Sequence, residues 1–182
     1  NLGEGAGVLV LESRRSAERR GARILARLLG AGLSCDAHHM TAPQPAGLGA
    51  RDAMQAALVD AKLSASAIGY INAHGTGTPH NDAAESHAVR DLLGERAGQV
   101  PMSSIKSMVG HTLGAAGAIE AVASVLSLLH GVLPPTKNLR DPETEFGLDY
   151  IPELPRHQQV EVVLSSSFAF GGNNAALLFG RG

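Results

Sequence analysis

The chain has 182 residues, which is enough for one domain with a substantial core or for two small domains. Hydrophobic residues make up 44% and charged residues 18% of the chain, a globular composition that excludes wholesale disorder. The 15 basic and 17 acidic residues give a formal net charge of −2, so the charge balance favours neither nucleic acid nor an anionic membrane as a partner.

The chain contains a single cysteine, Cys35, which excludes an internal disulfide and suits a reducing compartment such as the cytoplasm. The longest apolar stretch, residues 115–129, is interrupted by Glu120 and is shorter than the roughly 18 apolar residues of a membrane-spanning helix. Residues 2–7 are rich in glycine and lead directly into an apolar run, as in the interior of a domain. We therefore expect that Asn1 is not the native start of the chain.

Hydrophobic periodicity and turn residues predict strands that alternate with helices along the chain. In chain order, the predicted elements are strand 8–12, helix 13–20, strand 22–33, helix 48–62, strand 68–72, helix 82–93, strand 100–104, loop 106–110, helix 111–130, an irregular segment 134–155, strand 160–166, a tight turn 168–173 and strand 175–179. This alternation indicates an α/β fold. Because a tight turn joins the last two strands, we expect them to pair antiparallel, which makes the sheet mixed.

The loop after strand 68–72 places a histidine beside glycines and threonines. His74 precedes Gly-Thr-Gly-Thr, in which the glycines allow a ligand to approach the backbone and Thr76 and Thr78 supply hydroxyl groups. Loops of this kind form ligand sites at the strand ends of open α/β sheets. A hydrogen-bonded histidine at an ordinary turn would show the same spacing, so spacing alone leaves both interpretations open.

A second loop carries Lys106 and His111. His111 is predicted to open helix 111–130, and a helix N-terminus disfavours protonated imidazole, so a neutral ring that donates to a developing oxyanion is one interpretation. Lys106 would add positive charge nearby, and Glu85, on helix 82–93, is its expected partner if the lysine is buried. The alternatives are a polar helix-start residue, an exposed lysine and a solvated carboxylate.

The third loop contains Phe168 and Phe170, which flank an alanine and precede two glycines. A phenylalanine next to glycines can move, and its backbone N–H can point at a ligand. The alternative is that both rings are core anchors at a hairpin.

Neither a thiol nucleophile nor a metal site is predicted within the chain. Asp36, next to Cys35, would disfavour the thiolate, so we do not expect a catalytic cysteine here. Cys35, Asp36, His38 and His39 lie close in sequence, but no Cys-x-x-Cys or His-x-x-x-His pattern accompanies them. The glycines at the start of helix 111–130 do not match the dinucleotide-binding pattern G-x-G-x-x-G either.

Four motifs occur together between residues 72 and 174, and the segments 2–7 and 36–41 extend the same pattern over essentially the whole chain. The four motifs are Asn-Ala-His-Gly-Thr-Gly-Thr-Pro at 72–79, Lys-Ser-Met-Val-Gly-His at 106–111, Leu-Gly-Ala-Ala-Gly at 113–117 and Ser-Phe-Ala-Phe-Gly-Gly-Asn-Asn at 167–174. In order and spacing they resemble the β-ketoacyl-acyl carrier protein synthases, the elongating condensing enzymes of fatty acid and polyketide synthesis. Gly77, Val109, Ala169 and Asn173 depart from common family residues, so a housekeeping elongation enzyme and a specialised synthase, of aryl polyene or polyketide type, both remain open.

The resemblance implies a thiolase-like fold and covers only its C-terminal half, a mixed five-stranded sheet flanked by helices. Residues 1–182 would form that half, and the family's nucleophilic cysteine belongs to the absent N-terminal half. The chain alone is therefore expected to be inactive in condensation. A non-catalytic partner of the chain-length-factor type shares this fold, but the retention of both His74 and His111 argues against it. A metal or nucleotide binder is a third, unrelated hypothesis.

The activity implied by the resemblance is decarboxylative Claisen condensation of malonyl-acyl carrier protein with an enzyme-bound acyl thioester. His74 and His111 would hydrogen-bond the malonyl thioester carbonyl, with Lys106 in an electrostatic role and Glu85 as its carboxylate partner. The remaining matched positions are Thr76 and Thr78 for the phosphopantetheine arm, and Phe168 and Phe170 for the gate to the acyl pocket. The resemblance implies no metal and no cofactor, because the substrates are carried on the phosphopantetheine of acyl carrier protein. Expected partners are that carrier, the missing half, and a second subunit in a homodimer or a ketosynthase–partner heterodimer.

Overall fold

The computed structural model of the chain describes residues 2–142 and 144–182. Its helices are α1 (Arg14–Arg19), α2 (Leu48–Ala61), α3 (Pro79–Leu93), α4 (Lys106–Val109) and α5 (Ala116–His130). Its strands are β1 (Ala26–Cys35), β2 (Tyr70–Asn72), β3 (Pro101–Ser103), β4 (Val132–Leu133), β5 (Asp149–Tyr150), β6 (Arg156–His157), β7 (Val162–Ala169) and β8 (Asn173–Arg181). The α/β alternation predicted from the sequence is confirmed, and most predicted elements differ from these only at their ends.

Six strands form one mixed sheet in the order β1-β8-β7-β2-β3-β5. β8 pairs antiparallel with both β1 and β7, whereas β7, β2, β3 and β5 run parallel to one another. The prediction of five strands is wrong because β5, inside the segment predicted to be irregular, pairs over only two positions and offers no alternating pattern. β4 and β6 form a separate two-stranded sheet.

Helices cover both faces of the six-stranded sheet. On one face, α2 and α3 pack over Ile71 and Leu164, and on the other face α5 packs over Tyr70 and Val163. Since successive residues of a strand point to opposite faces, β2 and β7 contribute to both cores. The polar loops that follow β2 and β3 and the C-terminal end of β7 therefore lie between the two helical layers.

Residues 8–12 do not form the predicted strand. In the described part of the chain no strand pairs with them, and the side chains of Val8, Val10 and Leu11 are 84%, 89% and 70% exposed. The segment runs along α5 instead, so closely that a Cβ at Gly7 would lie 2.8 Å from the Cβ of Ala118. An apolar, β-branched pattern becomes a strand only where a neighbour can pair with its backbone groups.

The segment between β3 and α5 also differs from its prediction. Where a loop is predicted, Lys106–Val109 form a helical turn, which ends at Gly110 with a φ of 74°. The long helix begins at Ala116 rather than at His111, because Leu113 adopts a φ of 52° that a right-handed helix cannot contain. His111 consequently lies outside the helix.

Within the described residues, Leu113–His130 is apolar and long enough, by length and composition, to cross a membrane, which the count of apolar residues in the sequence does not anticipate. The core helix of a globular protein meets the same criterion. Here one face of α5 packs against β7 and β8 and carries Glu120 in an ion pair with Lys106, and 33% of the stretch is buried.

Close packing of α2 on β1 provides a test of the fold. A Cβ at Gly32 would lie 2.0 Å from the carbonyl oxygen of Ala53 and 2.4 Å from the backbone nitrogen of Ala57. Gly32→Ala should therefore lower the free energy of unfolding by about 1–3 kcal/mol, the usual cost of overpacking. Gly114→Ala is the matched control, since a Cβ there meets no atom within 4 Å. Urea unfolding of the purified protein measures both variants, and equal midpoints would contradict this packing.

Candidate active site

The polar loops predicted to carry the chemistry do meet at one end of the sheet. His74 follows β2, Lys106 follows β3, and Phe168 lies near the C-terminal end of β7. Beside them is a cavity of about 440 Å³ whose lining includes Thr76, Lys106 and His111. The parallel arrangement of β2, β3 and β7 is what brings these residues together, because the C-terminal ends of parallel strands share one edge.

His74 is almost fully buried and is held on three sides. Its ring lies edge-on to that of His111, with centroids 5.4 Å apart, and to that of Phe168 at 5.6 Å. The Nζ atom of Lys106 is 3.2 Å from its Nδ1 atom. Since an ammonium group can only donate, Nδ1 must accept, which assigns the proton of the neutral ring to Nε2.

The His74 ring is neutral as well as oriented. Burial, the Lys106 ammonium and the neighbouring His111 together lower the pKa of His74 to about 3. The imidazole therefore stays uncharged across the physiological pH range. With Nδ1 already occupied, its one available polar atom is the Nε2–H donor.

His111 is also a neutral ring with its proton on Nε2, but a different hydrogen bond assigns that proton. The backbone N–H of Leu113 donates to its Nδ1 atom at 3.2 Å, which again assigns the proton to Nε2. Burial and the Lys106 ammonium lower the pKa of His111. The helix N-terminus proposed from the sequence is not the cause, because α5 begins at Ala116.

Lys106 is paired with Glu120, not with Glu85 as the sequence predicts. Lys106 and Glu120 form an ion pair in which both side chains are at most 5% exposed, and the Ser167 hydroxyl donates to the second carboxylate oxygen at 3.3 Å. Burial raises the pKa of Glu120, and the Lys106 ammonium opposes that shift. A single carboxylate in the middle of an alanine-rich apolar helix was the signal in the sequence that could have identified Glu120.

Glu85 holds the backbone of the loop instead. Its Oε1 atom accepts hydrogen bonds from the His74 N–H at 2.9 Å and the Ser166 hydroxyl at 2.8 Å, and its Oε2 atom accepts from the Gly75 N–H at 2.8 Å. Both carboxylate oxygens are therefore engaged. Burial raises the pKa of Glu85, and these three donors, together with Lys106, act in the opposite direction.

The other predicted residues lie around the mouth of the site. Thr76 and Thr78 have their hydroxyl oxygens 2.9 Å apart, with Thr76 half-buried in the cavity wall and Thr78 exposed. Phe168 contacts His74, whereas the side chain of Phe170 is 76% exposed. Gly171 follows with a φ of 81°, a backbone conformation that favours glycine, and its N–H donates to the Met40 carbonyl at 2.7 Å.

Cys35 and its neighbours do not form a second centre. Cys35 is exposed, and its Sγ atom lies 3.6 Å from the Gly171 carbonyl oxygen. The Asp36 carboxylate accepts from the Asn174 side chain at 2.7 Å, and the Nδ1 atom of His39 accepts from the Thr41 N–H at 3.1 Å. Among residues 2–142 and 144–182, no group of three histidine, cysteine, aspartate or glutamate side chains is arranged to hold a metal ion.

Comparison with known proteins agrees with this architecture. Residues 25–140 match the family described as the C-terminal domain of β-ketoacyl synthases. The chain is 50% identical over 179 residues to 3-oxoacyl-[acyl-carrier-protein] synthase 2 of Vibrio harveyi, an alignment that covers 98% of this chain and 43% of that protein.

Two solved structures resemble the whole fold. One, the ishigamide ketosynthase/chain length factor, has a TM-score of 0.95 and 46% identity and covers 100% of this chain and 44% of its own. The other is a type II PKS acyl-carrier protein in complex with its ketosynthase bound to the hexaketide. It has a TM-score of 0.91 and 38% sequence identity, and the match covers 94% of this chain and 42% of the other chain. The chain spans less than half the length of these relatives. It belongs to the β-ketoacyl synthase family and corresponds to the C-terminal half of its thiolase-like fold.

Proposed function

We propose that this chain supplies the decarboxylation machinery of a ketosynthase that condenses malonyl-acyl carrier protein with an enzyme-bound acyl thioester. The observation that carries the proposal is the pair of neutral imidazoles, His74 and His111. Their ring centroids lie 5.4 Å apart, and each ring has Nε2–H as its free donor. Two such donors suit a carbonyl oxygen that gains negative charge during reaction.

In this mechanism the thioester carbonyl oxygen of the malonyl group accepts hydrogen bonds from His74 and His111. The bond to the carboxylate carbon breaks, carbon dioxide leaves, and the electron pair passes through the α-carbon to the thioester oxygen, forming an enolate. The enolate carbon then attacks the acyl thioester and expels the enzyme thiolate. The two Nε2–H donors stabilise the enolate without transferring a proton, which requires both rings to remain neutral.

The other site residues act on these two histidines or on the substrate. Burial and Lys106 keep His74 neutral, Lys106 fixes which nitrogen carries the proton, and Glu120 compensates the lysine charge. Thr76 and Thr78 would bind the phosphopantetheine arm at the cavity mouth. Phe170, exposed at the end of β7, would gate the acyl pocket, and its backbone N–H would contribute to the oxyanion hole for the acyl thioester.

The nucleophile is assigned to polypeptide outside these residues. The chain spans 43% of its Vibrio harveyi relative, and Cys35 is exposed and does not line the cavity. We therefore propose that residues 1–182 alone do not catalyse condensation and act with a half that carries the nucleophilic cysteine. Acyl carrier protein is the proposed substrate carrier, and a second ketosynthase or partner subunit completes a cytoplasmic dimer that uses no further cofactor.

A non-catalytic partner subunit is the weaker proposal. A subunit of that kind requires neither neutral histidine, yet here the buried Lys106–Glu120 ion pair and the buried carboxylate of Glu85 maintain the His74 geometry. Keeping a buried ion pair is costly, so its retention supports a chemical role.

Substitution of either histidine tests the proposal directly. His74→Ala or His111→Ala, in the complete ketosynthase that contains these residues, should lower the rate of carbon dioxide release from malonyl-acyl carrier protein by about 100-fold or more, because one oxyanion donor is lost. His157→Ala, an exposed histidine on β6, is the matched control and should retain the full rate. Undiminished decarboxylation by His74→Ala would contradict its assigned role.

The pH profile tests the role of Lys106. In the native site the pKa of His74 is about 3, so this residue should produce no loss of decarboxylation between about pH 5 and 8. Lys106→Met removes one cause of the low pKa of His74, so that pKa rises, while burial still holds it below its ordinary value. The fall of the residual rate in acid should therefore begin at a higher pH than in the parent. Lys137→Met, an exposed lysine of the same cavity paired with Glu153, is the control. Parallel profiles for the two variants would refute this electrostatic role.

Replacement of the lone thiol tests where the nucleophile lies. Cys35→Ser should leave the condensation rate of the complete enzyme within about twofold of the parent, because surface substitutions away from the site have small effects. Iodoacetamide should still inactivate the Cys35→Ser enzyme by alkylating the nucleophile elsewhere. Loss of condensation with Cys35→Ser, together with retained decarboxylation, would instead make Cys35 the acyl acceptor.

A further inference from the structure

Strand β7 contains three consecutive serines at 165–167, and two of them contact the buried carboxylates of the site. Ser166 donates to Glu85 at 2.8 Å, and Ser167 donates to Glu120 at 3.3 Å. Because side chains alternate along a strand, the two hydroxyls point to opposite faces of the sheet. Ser165 is buried on the same strand and, in the described chain, hydrogen-bonds neither carboxylate.

Ser166 and the backbone of His74 share one oxygen atom of Glu85. Oε1 accepts from the Ser166 hydroxyl and from the His74 N–H, while Oε2 accepts from the Gly75 N–H. Ser166 is fully buried, so no solvent is available to replace its hydroxyl. The serine therefore fixes the rotation of a carboxylate that in turn fixes two successive backbone groups at the end of β2.

We propose that Ser166 is a positioning residue that acts through Glu85 to hold the His74 imidazole where it meets the malonyl thioester. This inference rests on the proposed function and adds a residue to it. The Ser166 hydroxyl orients the Glu85 carboxylate, the carboxylate holds the His74 backbone N–H, and the backbone places the ring.

The neighbouring serine reaches the same histidine by another route. Ser167 contacts Glu120, which pairs with Lys106, which donates to the Nδ1 atom of His74. The contacts that begin at Ser167 end on the His74 ring and set the protonation of the ring. The contacts that begin at Ser166 end on the His74 backbone and set the position of the ring.

The Ser166 route has a characteristic pH signature. Protonation would turn one oxygen of Glu85 into a donor and weaken the hydrogen bonds that it accepts from the two backbone N–H groups, and the Ser166 hydroxyl favours the ionised form. The charged and titratable groups around Glu85 are Lys106 on α4, Glu120 on α5, His74 after β2, and Asp82 and His111 at the shared cavity. None of these groups is hydrogen-bonded to the Ser166 hydroxyl, so Glu85 is the group whose titration its replacement alters directly.

The test is carbon dioxide release from malonyl-acyl carrier protein by the complete ketosynthase. Ser166→Ala should lower kcat about tenfold, the equivalent of one lost hydrogen bond to a charged group, and leave KM unchanged. The acid limb of its pH–rate profile should move to higher pH, since Glu85 protonates more readily without the Ser166 hydroxyl. Ser165→Ala is the matched control and should behave as the parent. If Ser166→Ala does not fold, Ser166→Cys, with a weakly donating thiol of similar size, is expected to show the same two changes.

A double-mutant cycle tests whether Ser166 acts through Glu85. Glu85→Gln should lower kcat and abolish the shift of the acid limb, and adding Ser166→Ala to it should lower kcat no further. The inference is overturned if Ser166→Ala matches Ser165→Ala, if its loss persists in full on the Glu85→Gln background, or if only KM changes. A parent enzyme that releases no carbon dioxide would instead refute the proposed function.

Discussion

The buried ammonium group of Lys106 is the constraint on which the rest of the site depends. An isolated charge at this depth would carry a desolvation penalty of several kcal/mol, so it requires a carboxylate partner in close contact. Glu120 provides that partner from the second turn of α5. The requirement ties a long, otherwise apolar helix to one position over β7, with its single carboxylate directed at the sheet. Removal of either partner would leave a buried charge uncompensated, which typically costs about 3–5 kcal/mol.

The state of both histidines follows from burial together with that lysine. Burial, and then the Lys106 charge, lower the pKa of His74 and of His111, and the direct contact of Lys106 with the Nδ1 atom of His74 leaves Nε2–H as the donor. In the proposed mechanism, protonated imidazoles would be stronger donors, but they would also deliver a proton to the enolate before it attacked carbon. A buried cation behind neutral rings would stabilise negative charge there while keeping acidic protons away from it.

That these loops meet at one end of the sheet was predictable from the sequence, whereas the hydrogen-bond and ion-pair partners of their residues were not. His74, Lys106 and Phe168 lie in short motifs at strand ends, where parallel strands necessarily bring loops together. The choice between Glu85 and Glu120 depends on which helix face lies over Lys106, which is a matter of tertiary packing. Pairing explains the other differences: β5 is too short to show a pattern, and residues 8–12 have a strand-like pattern without a neighbouring strand in the described chain. Local sequence encodes the tendency to extend, but it does not encode the presence of a partner edge.

His74 is held from both faces of the sheet, and the two contacts control different properties. From the α3 face, Glu85 accepts a hydrogen bond from the His74 backbone N–H, which determines where the ring lies. From the α5 face, Glu120 acts through Lys106 on Nδ1, which adds to the effect of burial in keeping the ring neutral and determines the nitrogen that bears its proton. A single carboxylate could not perform both tasks, because direct contact with the ring would favour the protonated imidazole. The lysine inserted between Glu120 and the ring reverses the sign of that effect. Two buried carboxylates on opposite faces thus set the position and the protonation of one imidazole separately.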